Sequence, residues 1–170
     1  MTERFPGAGQ PRFADVLTAV AASVTLVTLA DGRDDIGTTV SAFCPMSSQP
    51  PLVGVCLLGD SYPAEVLARL DWFAVTLLAA GQRALAGRFA VSGRPGARLL
   101  LDGVPHRRGP HSGALIPDGG LAALECEVTE RIPTGDHLLV IARVLDVPYV
   151  AESGDPLLRF RSRYRPLVVS

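Results

Sequence analysis

The sequence has 170 residues, a formal net charge of −1 and a pI of about 6.3. Hydrophobic residues make up 48% of the chain and charged residues 19%, a composition that is typical of folded globular proteins and excludes the disordered class. The near-zero charge offers no long-range attraction for nucleic acid or for an anionic membrane surface, so neither is expected as a partner.

The composition also indicates the cellular compartment and the oligomeric state of the protein. No uninterrupted apolar run reaches the roughly 20 residues that span a bilayer, and the opening MTERFPGAGQ lacks the apolar centre of a signal peptide. The three cysteines have neither CxxC nor metal-ligand spacing. These features predict a cytoplasmic protein with reduced thiols and no metal site. The mean hydropathy of +0.28 is high for a monomer and hints at a dimer.

The predicted elements begin with an amphipathic helix. Residues 1–11 are polar and contain Gly and Pro, so we expect a flexible arm there and a single domain over 12–170. The sequence FADVLTAVAA then places apolar side chains at helical spacing, at Phe13, Val16, Leu17 and Val20.

A β-hairpin and a buried strand should follow. SVTLVTLADGRDDIGTTVSAF contains two β-branched runs around a turn at Asp31-Gly32, and the second strand is predicted to continue through residues 37–51, GTTVSAFCPMSSQPP. LVGVCLL is a continuous apolar run of the kind that is buried on both faces of a sheet. Next come a helix in SYPAEVL with Ser61 as its cap, a strand in FAVTLL, and a helix in AGQRALAGRFAVSG.

The second half predicts surface loops and another hairpin. Residues 93–120 are rich in Gly, Pro, Arg and His and should form long connections over the surface. LAALECEVTERIPTGDHLLVIARVLDVPYV gives two strands joined by PTGD, and LLRF and LVVS are short apolar pieces near the end. About six strands without regular strand–helix alternation predict an all-β-dominated antiparallel barrel with peripheral short helices.

Small hydroxyl residues crowd the first half of GTTVSAFCPMSSQPP. On one strand, Thr39, Ser41 and Phe43 would share a face, where hydroxyls and backbone N–H groups could hold a planar, partly polar ligand. The alternative is a solvated strand, which Thr and Ser also suit. Ser47 and Ser48 follow in a loop and could donate to a phosphate or simply form a turn.

A single histidine is the other candidate. His137 follows Gly135 and Asp136 at the entry to a strand, where it could place a donor or a positive charge beside a ligand ring. A structural hydrogen-bonding role is the alternative. The sequence has no GxGxxG after its first strand and no P-loop, HExxH or GxSxG, so none of the corresponding nucleotide, phosphate, zinc or hydrolase sites is supported.

Six blocks of the sequence, taken together, resemble the flavin reductase family. In order, the blocks are FADVLTAVAASVTLVTLADG, GTTVSAFCPMSSQPPLVGVCL, SYPAEVLARLDWFAVTLL, ALAGRFA, LECEVTERIPTGDHLLVIARV and RSRY. They are most similar to the small reductases that supply reduced flavin to two-component monooxygenases. The resemblance covers Phe13 to Tyr164 and implies an FMN-binding split barrel of six antiparallel strands that works as a homodimer.

The resemblance also implies cofactors and site residues. FMN or FAD would be the flavin, and NADH or NADPH the hydride donor. His137 would lie by the flavin ring and the nicotinamide, with Asp136 orienting its loop, and Arg88 would grip the flavin phosphate. The remaining implied flavin contacts are Thr38, Thr39, Val40, Ser41, Ala42, Phe43, Ser47, Ser61, Phe89 and Tyr164, with Arg163 as a looser match.

Two departures from the family pattern N-S-F-T-S-V-S, which falls on residues 41–47, matter for the site. Ala42 and Pro45 replace hydroxyl donors, and Pro45 also lacks a backbone N–H. The resemblance implies an enzyme that reduces flavin with NAD(P)H and supplies it to a partner monooxygenase. The departures leave two alternatives open: a flavin-binding protein without NAD(P)H turnover, and an enzyme that uses tightly bound flavin on a small metabolite.

Overall fold

The structure, a computed structural model, describes residues 12–167. The predicted arm at 1–11 and residues 168–170 of the LVVS piece lie outside the described residues. The helices are α1 (Phe13–Ala19), α2 (Tyr62–Leu67), α3 (Arg83–Phe89) and α4 (Ala97–Leu100), with a 3-10 turn at Ala80–Gln82. The strands are β1 (Ala22–Ser23), β2 (Thr25–Asp31), β3 (Asp34–Val40), β4 (Phe43–Ser48), β5 (Pro51–Leu58), β6 (Trp72–Leu77), β7 (His106–Arg108), β8 (Leu115–Pro117), β9 (Ala122–Thr134), β10 (His137–Val150), β11 (Leu157–Phe160) and β12 (Arg163–Pro166).

A seven-stranded antiparallel sheet forms the body of the molecule, in the order β3-β2-β6-β9-β10-β5-β4. The first and last strands of that order, β3 and β4, are joined in the chain by only Ser41 and Ala42, so the sheet must curl round on itself. This confirms the predicted antiparallel barrel with short peripheral helices. The count of about six strands was low, because two small sheets, β1-β11-β12 and β7-β8, lie outside the barrel.

The core lies inside the curled sheet and is built from the strands that the sequence predicted as apolar. Val27, Phe73 and Val140 have no exposed surface and belong to one cluster with side chains of β3, β5 and α2. Helix α2 begins as predicted, because the Ser61 hydroxyl accepts a hydrogen bond from the Ala64 N–H at 3.4 Å. The cap fixes the turn at the end of β5, next to the candidate site.

The hydroxyl-rich stretch belongs to two strands, and the prediction of a single strand over 37–51 was wrong. β3 ends at Val40 and β4 begins at Phe43. The carbonyl of Val40 accepts from the Thr25 hydroxyl of β2 at 2.9 Å, whereas the carbonyl of Ala42 accepts from Cys56 N of β5 at 2.9 Å. Because the chain changes partner strands between these residues, no single strand face carries the predicted row of side chains.

The segment 93–120 also differs from its prediction as surface loops. It contains α4, β7 and β8, and its apolar side chains Ala97, Leu101 and Leu115 pack in a core cluster with α3. The high content of Gly, Pro and Arg obscured short apolar runs that are long enough to be buried. Among residues 12–167, no helix combines the length and the apolar character that crossing a membrane would require.

Candidate functional site

Two cavities have walls that include β3. The main cavity, of about 890 Å³, is lined by β3, the end of β5, the start of α2 and the loop 92–96. The side cavity, of about 270 Å³, is lined by the last residues of β3 and by Ser41, Ala90 and Tyr164. β3 therefore contributes Gly37 to the main cavity and Thr38 and Thr39 to the side cavity.

The backbone at Gly37 is held from two directions. A β-carbon built at this position would lie 2.5 Å from Cε1 of Phe89, so the aromatic ring packs directly against the strand. The Gly37 carbonyl accepts a hydrogen bond of 2.7 Å from Nε of Arg94. Together, these contacts fix the part of β3 that lies between α3 and the loop 92–96.

Arg94 is one of three arginines that line the main cavity, with Arg33 and Arg98, and sequence reasoning missed it. Its side chain is half-buried, and burial lowers the pKa of its guanidinium below the usual value. It lines the main cavity together with Ser61 and Tyr62. A partly desolvated guanidinium attracts an anion more strongly than one in bulk water does. The available signal was SGRPG, in which one arginine lies among loop-forming residues.

Asp35 lines the main cavity and joins three segments there, β3, α4 and β7. Its side chain is 4% exposed, and it accepts hydrogen bonds from Arg98 of α4 at 2.8 Å and from Arg108 of β7 at 2.9 Å. Burial alone would raise the pKa of Asp35, but the hydrogen bonds from Arg108 and Arg98 outweigh it and hold the pKa below its usual value. The sequence had not marked this carboxylate.

In the side cavity, the predicted residues Thr38, Thr39, Ser41 and Tyr164 come together. The Thr39 hydroxyl donates to the carbonyl of Ala86 in α3 at 2.7 Å, and the Tyr164 hydroxyl points to the same carbonyl at 3.5 Å. The hydroxyl of Thr39 is therefore held in one orientation, with its remaining lone pairs available to accept a hydrogen bond.

His137 begins β10 directly opposite Leu58, which lines the main cavity. Its Nδ1 lies 2.7 Å from Oδ1 of Asp136, and the side chain is 40% exposed. This hydrogen bond and the charge of His137 lower the pKa of Asp136. The arrangement leaves Nε2 as the ring nitrogen that can face a ligand. The adjacent loop is fixed because Gly59 N donates to the Asp136 carbonyl at 2.9 Å.

Several residues assigned by resemblance lie elsewhere. Arg88 is exposed, donates to the Leu100 carbonyl at 3.2 Å and lines neither cavity. Phe89 has no exposed surface and lies beneath Gly37, so it presents no face to a ligand. Val40 is buried in the core, and the partly buried Phe43 packs against it.

The second half of the hydroxyl-rich stretch forms an exposed edge. Ser47 accepts a hydrogen bond from Gln49 N at 3.2 Å, which is the turn role that the sequence left open. Ala42 and Pro45 are exposed, and Pro45 lies in the edge strand β4 beside an irregularity of the register. An edge strand at a bulge tolerates the missing N–H of proline.

Chemically, the main cavity combines apolar and polar surface. Leu58, Tyr62 and Leu99 supply apolar area, and Ser61 supplies a hydroxyl. The charged lining residues are three arginines and three carboxylates: Arg33, Arg94, Arg98, Asp34, Asp35 and Asp60. Cofactor sites have this composition, in which apolar walls carry a few polar groups that fix the orientation of the ligand. The cavity suits a ligand that has both a ring system and an anionic group.

Comparison with known proteins shows what the chain is similar to. The model of the flavin reductase like domain matches residues 17–168. The reductase component of 4-hydroxyphenylacetate 3-monooxygenase from Thermus thermophilus is 35% identical over 156 residues, which span 92% of this chain and 95% of that protein. The actinorhodin polyketide dimerase of Streptomyces coelicolor is 36% identical over 161 residues, 94% of this chain and 88% of that protein.

A solved structure is similar over the same extent. The NADH:FAD oxidoreductase SgcE6 of Streptomyces globisporus C-1027, in complex with NAD and FAD fragments, superposes with a TM-score of 0.86. The two sequences are 28% identical, and the match covers 98% of each chain. The similarity therefore includes every element that lines the two cavities.

Proposed function

This chain belongs to the flavin reductase family, and from that premise we propose that its two cavities bind flavin and nicotinamide nucleotides along β3. The chain is an NAD(P)H:flavin oxidoreductase of the split-barrel type, which reduces FMN or FAD and supplies the product to a partner monooxygenase. The observation that carries the site is that β3 lines both cavities, with Thr38 and Thr39 on one and Gly37 on the other.

The residues present fit a flavin. The main cavity, at about 890 Å³, has the size of a cofactor site. Its wall provides apolar contact through Leu58 and Tyr62, and an anion partner through Arg94. A flavin nucleotide has both of these parts, a planar ring system and a phosphate.

The redox chemistry would come from bound flavin, as the acceptor of the nicotinamide hydride. The chain binds and orients the reactants and keeps water from them. Arg94 would hold a phosphate in the main cavity, and the hydroxyl of Thr39, fixed by its bond to Ala86, would accept a hydrogen bond from a nucleotide group in the side cavity. His137 lines neither cavity but pairs with Leu58 at the wall of the main cavity; oriented through Nδ1 by Asp136, it would present Nε2 to the ring and the nicotinamide bound there.

Each residue that the resemblance assigned has a place in this proposal. We assign direct contact to Thr38, Thr39, Ser41, Ser61 and Tyr164, which all line a cavity. Arg94 replaces Arg88 as the phosphate ligand, because Arg94 lines the main cavity, whereas Arg88 lines neither cavity. The remaining residues act through their backbone or as support of the site: Val40, Ala42, Phe43, Ser47 and Phe89.

Binding can be tested by titrating the protein with FMN and with FAD while flavin fluorescence is recorded. The proposal expects saturable quenching by at least one of them. Ser41→Val should weaken that binding, because it removes a hydroxyl from the side cavity, whereas Ser153→Ala is a control at an exposed loop position that lines neither cavity. Binding that neither saturates nor responds to Ser41→Val would exclude the assigned site.

A second candidate function rests on the similarity to the polyketide dimerase. In that case the chain holds flavin tightly and acts directly on a small metabolite. The absorbance spectrum of the purified protein separates the two functions. Flavin that stays bound in a one-to-one ratio through purification favours the second candidate, and colourless protein that reduces added flavin favours the first.

We also propose that the single domain over 12–170 works as a homodimer. The apolar side of α1 has no buried residue, and Phe13, Val16 and Leu17 are 73%, 57% and 56% exposed. A second copy that covered this face would explain its composition. Light scattering should give a molar mass of two chains for the wild type and of one chain for Leu17→Asp.

We propose the cytoplasm as the location of the protein, because its three unpaired thiols suit a reducing compartment.

A further inference from the structure

Away from both cavities, the structure brings a histidine and two carboxylates together at the β9–β10 pair. Ligand atoms of His111, Glu125 and Asp146 all lie within 4.8 Å of one another. Glu125 of β9 and Asp146 of β10 are direct partners in the antiparallel register. Their side chains therefore leave the sheet on the same face, toward the loop that contains His111.

The two oxygens of the Glu125 carboxylate have very different surroundings, although the side chain is completely buried. Oε1 accepts three hydrogen bonds: from His111 N at 3.0 Å, from Ser112 N at 2.6 Å and from the Ser112 hydroxyl at 2.6 Å. A β-carbon at Gly109 would lie 2.2 Å from Oε1, so the loop 109–114 wraps closely around it. This oxygen has its partners already.

The second oxygen, Oε2, is buried and accepts no hydrogen bond from any part of the chain that the structure describes. A buried, unpartnered carboxylate oxygen is destabilising. Asp146 adds a second negative charge directly across the strand pair, which is unfavourable as well. Within residues 12–167, neither Glu125 nor Asp146 forms an ion pair with an arginine.

We propose that His111, Glu125 and Asp146 bind a divalent cation of the zinc class. One imidazole nitrogen and two carboxylate oxygens are a ligand set that Zn²⁺ accepts, with water as the fourth ligand. The cation gives Oε2 a partner and neutralises the two opposed carboxylates. It also ties the loop 109–114 to the barrel through His111, so the site has a structural role that does not depend on the proposed redox function.

Zinc titration of the full chain, freed of metal by a chelator, tests this site. Calorimetry should show one Zn²⁺ per chain, and saturating Zn²⁺ should raise the Tm by about 5 °C or more. His111→Gln and Asp146→Asn change positions that are exposed and half-buried, so both variants should fold. Each should weaken zinc binding by about tenfold or more and lose the Tm shift.

His106→Gln is the matched control, because His106 is an exposed histidine of β7 whose Nδ1 contacts the Val104 carbonyl at 2.7 Å. This variant should bind Zn²⁺ like the wild type. A wild type that binds no Zn²⁺ would overturn the proposal, as would undiminished binding in both ligand variants. Since flavin reduction is not the readout, failure of the cation site is distinct from failure of the proposed function.

Discussion

The ring of Phe89 packs against the backbone of Gly37 so closely that a β-carbon at position 37 would lie 2.5 Å from its Cε1. Phe89 has no exposed surface and cannot move aside into solvent. The contact joins α3 to the strand that lines both cavities. The shape of the candidate site therefore depends on the absence of a side chain at residue 37.

Gly37→Ala tests this dependence. Forcing a methyl group against the buried ring should lower the free energy of unfolding by about 1–3 kcal/mol, as measured by urea denaturation. Gly87→Ala is the matched control, since Gly87 lies in α3 and a β-carbon there would meet nothing within 4 Å. The control should be neutral or up to about 1 kcal/mol more stable. Equal stability of the two variants would refute the tight contact.

Arg94 and Arg88 offer a direct comparison between the structural and the sequence-based assignment of the phosphate ligand. Arg94→Ala should weaken flavin affinity by about tenfold or more, because a charge-assisted hydrogen bond and the contact to Gly37 are both lost. Arg88→Ala should change the affinity little, because Arg88 faces Leu100. Fluorescence titration of both variants decides the matter. A larger loss for Arg88→Ala would restore the assignment made from sequence.

His137→Ala should slow hydride transfer or raise the KM for the nicotinamide nucleotide by about tenfold, within the range of one positioned polar group. Flavin affinity and the Tm should stay near wild type, because the side chain is 40% exposed. Asp136→Asn should have a smaller effect in the same direction, since it weakens the contact that orients the ring. Stopped-flow reduction measures this step, and unchanged kinetics in His137→Ala would assign it a purely structural role.

The ion pairs of Asp35 with Arg98 and Arg108 should make the stability of the protein depend on pH. Its folded-state pKa is lowered, so its contribution is fully present above the unfolded pKa of about 3.9 and is lost as the pH falls through the folded value. Asp35→Asn should therefore cost about 1.5–3 kcal/mol at neutral pH. The difference from wild type should shrink below about pH 4. Urea denaturation at neutral and acid pH checks this, and a difference independent of pH would contradict it.

The sequence predicted those features that depend on local patterns. The hairpin at Asp31-Gly32, the Ser61 cap and the strand entry at His137 each follow from a few neighbouring residues. The break after Val40 did not, because it arises where the chain changes from one partner strand to another. The burial of Leu101 was likewise missed, because its apolar run lies within a segment of loop-forming composition.

For the candidate site too, the sequence predicted the features that depend on neighbouring residues and missed those that depend on packing. Thr38, Thr39 and Ser41 are consecutive or nearly so, and the structure places them together at one cavity, while their contact with flavin stays a prediction. The proposal of Arg94 in place of Arg88 depended on where the two side chains lie: Arg88 is on the exposed face of α3, and Arg94 is in the loop 92–96 at the main cavity. Similarly, the pairing of Glu125 with Asp146 depends on the register of a long hairpin, which alternating apolar residues alone do not specify.

The decisive measurement is the oxidation of NADH and of NADPH by the purified protein, with and without added FMN or FAD. At least one of the two nucleotides should be consumed steadily, in a reaction that requires flavin and whose rate increases in proportion to protein. If protein whose Tm shows that it is folded consumes neither nucleotide with either flavin, it is not a flavin reductase.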